Sequence, residues 1–142
     1  MSEGSIYLKV PGVPIAQPRH RATAIGGRAR MYLPTSAPVN TYKAAIQLAW
    51  HAAGEPRLDG PLAVSIDFVF PRPKSKTKKR GDNPRFWHVS KPDLDNLYKA
   101  TLDAMNGLAF HDDSQVSSCR VRKIVAAAGE APYTEIELCN CP

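Results

Sequence analysis

The chain has 142 residues and a mass of 15.5 kDa, which is the size of one ordinary domain, and we expect a single domain over 1–142. A chain of this length can bury a core without a disulfide or a structural metal, and its three cysteines fit neither a disulfide framework nor a zinc spacing. No apolar run approaches the ~20 residues that cross a bilayer, and the first residues lack the layout of a signal peptide. Composition therefore excludes a membrane-spanning protein and favours the cytoplasm.

The basic charge is concentrated in one segment. Nineteen Lys and Arg residues stand against thirteen Asp and Glu, a formal net charge of +6. The stretch 71–80, PRPKSKTKKR, carries the whole excess, because it has six basic residues and no acid. This pattern favours an arm that contacts a polyanion such as nucleic acid, and the alternative is a solvated surface loop.

The first half of the chain predicts a strand, a long connection and a helix. Ile6, Leu8 and Val10 alternate with polar residues, which predicts a half-buried strand. Residues 13–38 have no period, although we expect a short strand at 29–33. This stretch carries four arginines: Arg19, Arg21, Arg28 and Arg30. A helix follows, capped at 40–41 and ending near Gly54.

The second half predicts three further strands, a short strand and a second helix. Alternation of large apolar residues over 62–70 is the clearest strand signal in the sequence. After the basic loop at 71–85, a helix with an apolar stripe from Leu94 to Met105 is capped by Asp95 and ends at Asn106-Gly107. The remaining strands are expected at 86–89, 115–125 and 134–138. These elements predict an α+β fold, with two helices on one face of a mixed or antiparallel sheet of four or five strands.

Acidic residues gather around the second helix. Asp93 and Asp95 flank one residue in extended chain, so both side chains can point to the same side. The link after the helix is long enough to return Asp112 and Asp113 toward its start. Three converging carboxylates repel one another unless a cation lies between them, and magnesium combines such ligands with water and phosphate oxygens. This arrangement predicts metal-dependent phosphodiester hydrolysis.

Each of these residues also has a purely structural interpretation. Acids at a helix start act as caps and interact favourably with the helix dipole. Lys99 can be explained by an i,i+4 pair with Asp95, whereas the functional interpretation places its ammonium group at the scissile phosphate. Asp112, Asp113 and Ser114 could form an ordinary turn. From the residues alone, both interpretations remain open.

The run KPDLDNLYKATLDAMNGLAFHDDSQV resembles the signature of the RusA family of Holliday-junction resolvases. The opening GVPIAQPRHR is similar to the family's basic N-terminal segment. The resemblance implies that Asp93, Asp95 and Asp113 are catalytic acids that bind metal and that Lys99 is the catalytic lysine. Asp112 is a further candidate for the metal or its surroundings.

The resemblance also implies a homodimer that needs Mg²⁺ or Mn²⁺ and nicks opposing strands of a four-way DNA junction. A junction with two-fold symmetry is cut symmetrically most simply by a protein with the same symmetry. The basic residues would then contact phosphates on the junction arms. These residues are Arg19, Arg21, Arg28, Arg30, Arg72, Lys74, Lys76, Lys78, Lys79 and Arg80.

Other functions stay open alongside this one. A non-catalytic DNA-binding module would use the acids only as caps, and a nuclease of broader branched-DNA specificity would share the site. Phe86 and Trp87 could stack on unpaired bases, but an aromatic pair on a short strand is more typical of a core or a dimer interface.

Overall fold

The structure is a computed structural model that describes residues 4–18, 22–25, 28–31 and 37–142, with 22–25 and 28–31 described by their backbone. Its strands are Ser5–Pro11 (β1), Ala22–Ile25 (β2), Arg28–Met31 (β3), Leu62–Phe70 (β4), Phe86–Trp87 (β5), Val116–Val125 (β6) and Tyr133–Asn140 (β7). Its two main helices are Pro38–Ala52 (α1) and Leu94–Met105 (α2). Within the described residues, no helix is long and apolar enough to cross a membrane.

Five strands form one mixed sheet in the order β1-β7-β4-β6-β5. β4 runs parallel to β6, while the other neighbouring pairs are antiparallel. β2 and β3 pair separately as a two-stranded antiparallel sheet. The predicted α+β class with a mixed sheet and two helices is confirmed.

The strand periodicity places the core between the sheet and the helices. Alternate residues of β4, including Val64, Ile66 and Phe68, are buried against both helices. The intervening residues face the other side of the sheet, where Asp67 lies beside Arg122 of β6. Each Å² of apolar surface that is buried contributes about 25 cal/mol of stability. The helix-covered face of the sheet is therefore the main source of the stability of the fold.

A buried hydroxyl cluster fixes α2 on the sheet. The Tyr42 hydroxyl on α1 hydrogen-bonds to Thr101 Oγ1 of α2 at 3.1 Å and to Thr134 Oγ1 of β7 at 2.8 Å. Both threonines are fully buried, so each hydroxyl needs such a partner. Burial raises the pKa of Tyr42, which keeps its phenol protonated. The position of α2, and of the acids at its start, is therefore tied to two other elements.

Two predicted helix starts were wrong by a few residues. α1 begins at Pro38 with Ala37 as its N-cap, not at 40–41, because proline suits the first helical position, where its fixed φ and missing N–H cost nothing. α2 begins at Leu94 with Asp93 as its N-cap, so Asp95 is a first-turn residue rather than the cap. The predicted strand near 29–33 corresponds to β3, and β2 was not predicted.

Candidate active site

The first acid-bearing turn leads directly into α2. Asp93 is the N-cap residue, in extended conformation with φ −70° and ψ 144°, and its side chain makes no capping hydrogen bond to the helix. Asp95 lies in the first helical turn. Both side chains are exposed at the surface. The capping interpretation therefore does not explain the carboxylate of either residue, although the dipole of α2 still favours negative charge there.

The backbone before Asp93 is held from strand β6. The Lys123 ammonium donates to the Ser90 carbonyl at 2.7 Å and to the Pro92 carbonyl at 2.8 Å. The His88 N–H also donates to the Lys123 carbonyl at 3.1 Å. Burial, followed by the nearby Lys123 charge, lowers the pKa of His88, so its imidazole is neutral near pH 7. Nothing in the local sequence pattern indicated this role for Lys123.

The second acid-bearing turn lies between α2 and β6. Residues Asp113–Gln115 form a short 3-10 turn, and the Asp112 carboxylate accepts a hydrogen bond from the Ser114 N–H at 3.1 Å. Hydrogen bonding from the Ser114 side chain, and next from its N–H, holds the pKa of Asp112 below its usual value. Asp112 thus serves to shape the turn, which leaves Asp113 as the candidate for chemistry at this position.

The Gln115 side chain connects this turn to the segment that precedes β4. Its Oε1 accepts hydrogen bonds from the N–H groups of His111 at 2.7 Å and Asp112 at 2.9 Å. Its Nε2 donates to the Gly60 carbonyl at 3.0 Å. The spacing from Asp112 to Gln115 is that of a capping box, which is the sequence signal that could have revealed this role.

Tyr98 shows how the second turn relates to α2. Burial, together with the Cys119 thiol and the Asp113 carboxylate, raises the pKa of Tyr98 to about 12. Asp113 therefore lies within electrostatic range of the second turn of α2, three residues beyond Asp95. Among the residues that the structure describes, however, no group of three or more His, Cys, Asp or Glu side chains is close enough to hold a metal ion. The expected convergence of Asp93, Asp95 and Asp113 is not preformed.

The donors nevertheless suit a hard cation in another arrangement. Magnesium is commonly held by one or two carboxylates, with water and substrate phosphate oxygens at its remaining positions. Asp93 and Asp95 are both exposed and two residues apart, and Asp93 lines an open depression together with Lys91, Pro92 and Asn96. The residues present fit magnesium in this mode, and they do not form a closed cage of three carboxylates.

Lys99 pairs with a different acid from the one expected. Its ammonium lies 3.5 Å from the carboxylate of Asp103, one turn further along α2, and not beside Asp95. Lys43 of α1 approaches the same carboxylate at 4.0 Å. The Lys99 side chain is 62% exposed, so this pair contributes little stability and leaves the ammonium accessible.

The basic loop has a defined conformation that centres on Arg72. The Arg72 guanidinium donates to the carbonyls of Pro84 at 2.7 Å, Lys76 at 2.8 Å and Ala126 at 3.2 Å. Asn83 closes the loop through two hydrogen bonds with the backbone of Lys78. The structure thus directs Arg72 at protein carbonyls, while the other five expected DNA contacts of this loop are exposed: Lys74, Lys76, Lys78, Lys79 and Arg80.

The remaining basic candidates are only partly described. Arg28 and Arg30 lie on β3. Arg19 and Arg21 lie outside the described residues.

The aromatic pair on β5 lies at the edge of the sheet and is not part of the core. Phe86 is 38% exposed and Trp87 is 64% exposed, which excludes the core, while a dimer interface, the other expected role, stays a prediction. Together with Arg85, Arg122 and Ile124 they line an open depression of about 500 Å³. Arg85 is already paired with Glu130 and Arg122 with Asp67, so neither guanidinium is an uncompensated charge in this depression.

Comparison with known proteins assigns the chain to a family. Residues 11–138 match the family model described as endodeoxyribonuclease RusA. The chain is also similar to a protein of Bacillus subtilis (strain 168) described as uncharacterized protein YqaN, with 31% identity over 136 residues that cover 92% of this chain and 93% of the relative. The matched region contains β4, β6 and both acid-bearing turns. The chain therefore belongs to the RusA family of endodeoxyribonucleases.

Proposed function

We propose that this chain is a divalent-metal-dependent endonuclease that acts as a homodimer and resolves four-way DNA junctions. The proposal takes the chain as a single nuclease domain of the cytoplasm, where the free thiols of Cys119, Cys139 and Cys141 would persist. The observation that carries it is the placement of two acid-bearing turns beside one helix, in a chain of a nuclease family.

In this proposal Asp93, Asp95 and Asp113 are the catalytic acids. Asp93 and Asp95 would bind Mg²⁺ or Mn²⁺ with their exposed carboxylates. Asp113, near Tyr98, would be the third acid that binds the cation. When bound, the cation supplies a water of lowered pKa and offsets charge on the scissile phosphate. Lys99, whose pairing with Asp103 is weak, would exchange that partner for a phosphate oxygen and stabilise the negative charge that develops there.

In the proposed enzyme, the basic residues bind the phosphates of the DNA. Lys74, Lys76, Lys78, Lys79 and Arg80 lie on a loop whose backbone is held by Arg72 and Asn83, so their charges are presented by an ordered segment. Phosphate contacts of this kind are independent of base sequence and weaken with salt. Arg19, Arg21, Arg28 and Arg30 would extend the same contact surface, and Arg72 would act through the loop.

A homodimer follows from the symmetry of the substrate. Two opposing strands must be cut for a junction to be resolved, and two active sites related by a two-fold axis provide this most simply. The exposed Phe86 and Trp87 are compatible with a place in such an interface.

Cleavage of matched substrates tests the proposal. With Mg²⁺ present, we expect paired nicks in a synthetic four-way junction, weaker cutting of a three-way junction and none of linear duplex. Asp93→Asn should abolish nicking while junction binding persists, and Glu137→Gln on the exposed side of β7 is the matched control. Equal cutting of all branched substrates would favour the nuclease of broader specificity. Binding without cleavage by the unmodified chain would favour the non-catalytic module.

A further inference from the structure

Lys123 occupies an unusual position for a lysine. It lies on β6 opposite Phe68 of β4, on the sheet face that both helices cover, and it is only partly exposed. Its neighbours on that face are Val121 and Val125. Fixing a lysine side chain costs up to ~2 kcal/mol of rotamer entropy, and an ammonium group with little access to water needs hydrogen-bond acceptors. An apolar residue such as methionine would fill the same space without these costs.

The ammonium group satisfies its hydrogen bonds in the turn that precedes the first acid. Two of its three protons are donated to the carbonyls of Ser90 and Pro92, at 2.7 and 2.8 Å. Residues 88–92 lie outside any helix or strand. Hydrogen bonds from a charged donor are roughly twice as strong as neutral ones, so this contact is a strong constraint on the turn. Asp93 follows immediately after the second of the two carbonyls.

We propose that Lys123 is a positioning residue of the active site, which acts through the turn 90–93 and does not touch the substrate. By binding two carbonyls that are two residues apart, it fixes the direction in which the chain enters α2. The position of the Asp93 carboxylate relative to Asp95, in the first turn of α2, is thereby fixed. This inference rests on the proposed function, because it assigns Lys123 to the metal-binding part of that site.

The contact also joins the turn to β6, the strand that pairs with the central strand β4. β6 pairs with β4 along nine register positions, and the Lys123 backbone carbonyl accepts the His88 N–H at 3.1 Å. The backbone and the side chain of one residue therefore hold both ends of segment 88–92. A chain held at only one end would let Asp93 move relative to Asp95, and outer partners of metal ligands typically contribute 10–100-fold to affinity or activity.

The test compares Lys123→Met with Lys123→Arg, and Lys9→Met on β1 is the matched control for the loss of a lysine. Binding of Mn²⁺ to the free protein is measured by electron paramagnetic resonance. Cleavage of a four-way junction is measured at saturating Mg²⁺, with kcat and KM determined separately. We expect Lys123→Met to bind Mn²⁺ about 10–100-fold more weakly and to lose kcat with little change in KM. Lys123→Arg should recover part of both losses, since a guanidinium can donate to two carbonyls.

Hydrogen exchange separates this inference from the proposed function. In the absence of metal, Lys123→Met should speed amide exchange in segment 88–97, while Lys9→Met leaves it unchanged. Exchange, Mn²⁺ affinity and kcat that all match the unmodified protein would refute the positioning role. If the unmodified chain neither binds Mn²⁺ nor cuts DNA, the proposed function fails. In that case unchanged exchange would refute the Lys123 contact, and faster exchange would show that it orders the turn without serving a metal site.

Discussion

The two turns that carry the acids are held in place by different means. The turn before Asp93 is held from outside, by a lysine on a strand that is about thirty residues further along the chain. The turn that contains Asp113 is held mainly from within, by Gln115 and by the Asp112 carboxylate. One turn therefore depends on the tertiary fold, whereas the other has a local hydrogen-bonding pattern that can form as soon as its own residues meet.

This difference bears on how the site keeps its geometry. Asp112 and Asp113 are adjacent in sequence, yet the structure gives them separate tasks, because the carboxylate of Asp112 is used to shape the turn. The turn before Asp93 is held by the Lys123 ammonium. A substitution in the sheet that moves Lys123 is therefore expected to displace Asp93 and Asp95 more than Asp113.

The largest expected effect distinguishes the two aspartates of the second turn. Asp113→Asn should lower cleavage of a four-way junction by more than about 100-fold, beyond the range found for outer partners of a metal ligand. Asp112→Asn should lower it by less than about tenfold, because an amide oxygen can still accept the Ser114 N–H. Initial nicking rates at saturating junction and Mg²⁺ are the measurement. If Asp112→Asn proved the more damaging change, the roles assigned to the two residues would be reversed.

An intermediate effect, on stability, is expected from Gln115, whose side chain holds the turn that contains Asp113. Gln115→Leu removes the acceptor of the N–H groups of His111 and Asp112, which lie at or near the surface, and we expect the free energy of unfolding to fall by about 0.5–1.5 kcal/mol. Urea denaturation followed by circular dichroism measures this loss. Gln47→Leu is the matched control, because Gln47 donates a single hydrogen bond, to the Ala104 carbonyl at 3.2 Å. A loss no greater than that of the control would show that the second turn is not held by Gln115.

The smallest effect on cleavage itself is expected outside both turns. Changing Lys74, Lys76, Lys78 and Lys79 to glutamine should weaken junction binding and reduce the slope of log K against log salt by about 3 to 4 if all four contact phosphates. The kcat at saturating junction should stay the same, because neither acid-bearing turn is altered. Fluorescence anisotropy across a salt series is the measurement, with Lys9→Gln as the control. An unchanged slope would exclude the loop from the DNA contact.

Local patterns in the sequence predicted the elements of the fold well. The alternation over 62–70 marks the bounds of β4, and the apolar stripe with Asn106-Gly107 marks the end of α2. Both signals depend on residues that are close in sequence. The cap of α2 was placed at Asp95 and not at Asp93, because both aspartates are residues that suit a helix start and the local pattern does not distinguish them.

The site was predicted less completely, because several of its contacts join distant parts of the chain. Asp93, Asp95 and Asp113 could be selected as candidates from their motif, but the motif contains no measure of their separation. Lys99 has acids at both i−4 and i+4, and the preferred order of acid before base favoured Asp95, whereas the structure pairs Lys99 with Asp103. Lys123 directly follows Arg122 in the sequence, and a basic residue in such a run predicts only a charged surface.

The parallel pairing of β4 with β6 has a consequence for how this nuclease can change. The two strands are hydrogen-bonded neighbours, and the chain between them, from residue 71 to residue 115, is one excursion that returns to the sheet only as the short edge strand β5. That excursion contains the basic loop and all four residues proposed for chemistry. It is one continuous segment whose two ends are fixed at adjacent strands. Exchange of this segment between relatives should therefore transfer the substrate preference of one protein to the other.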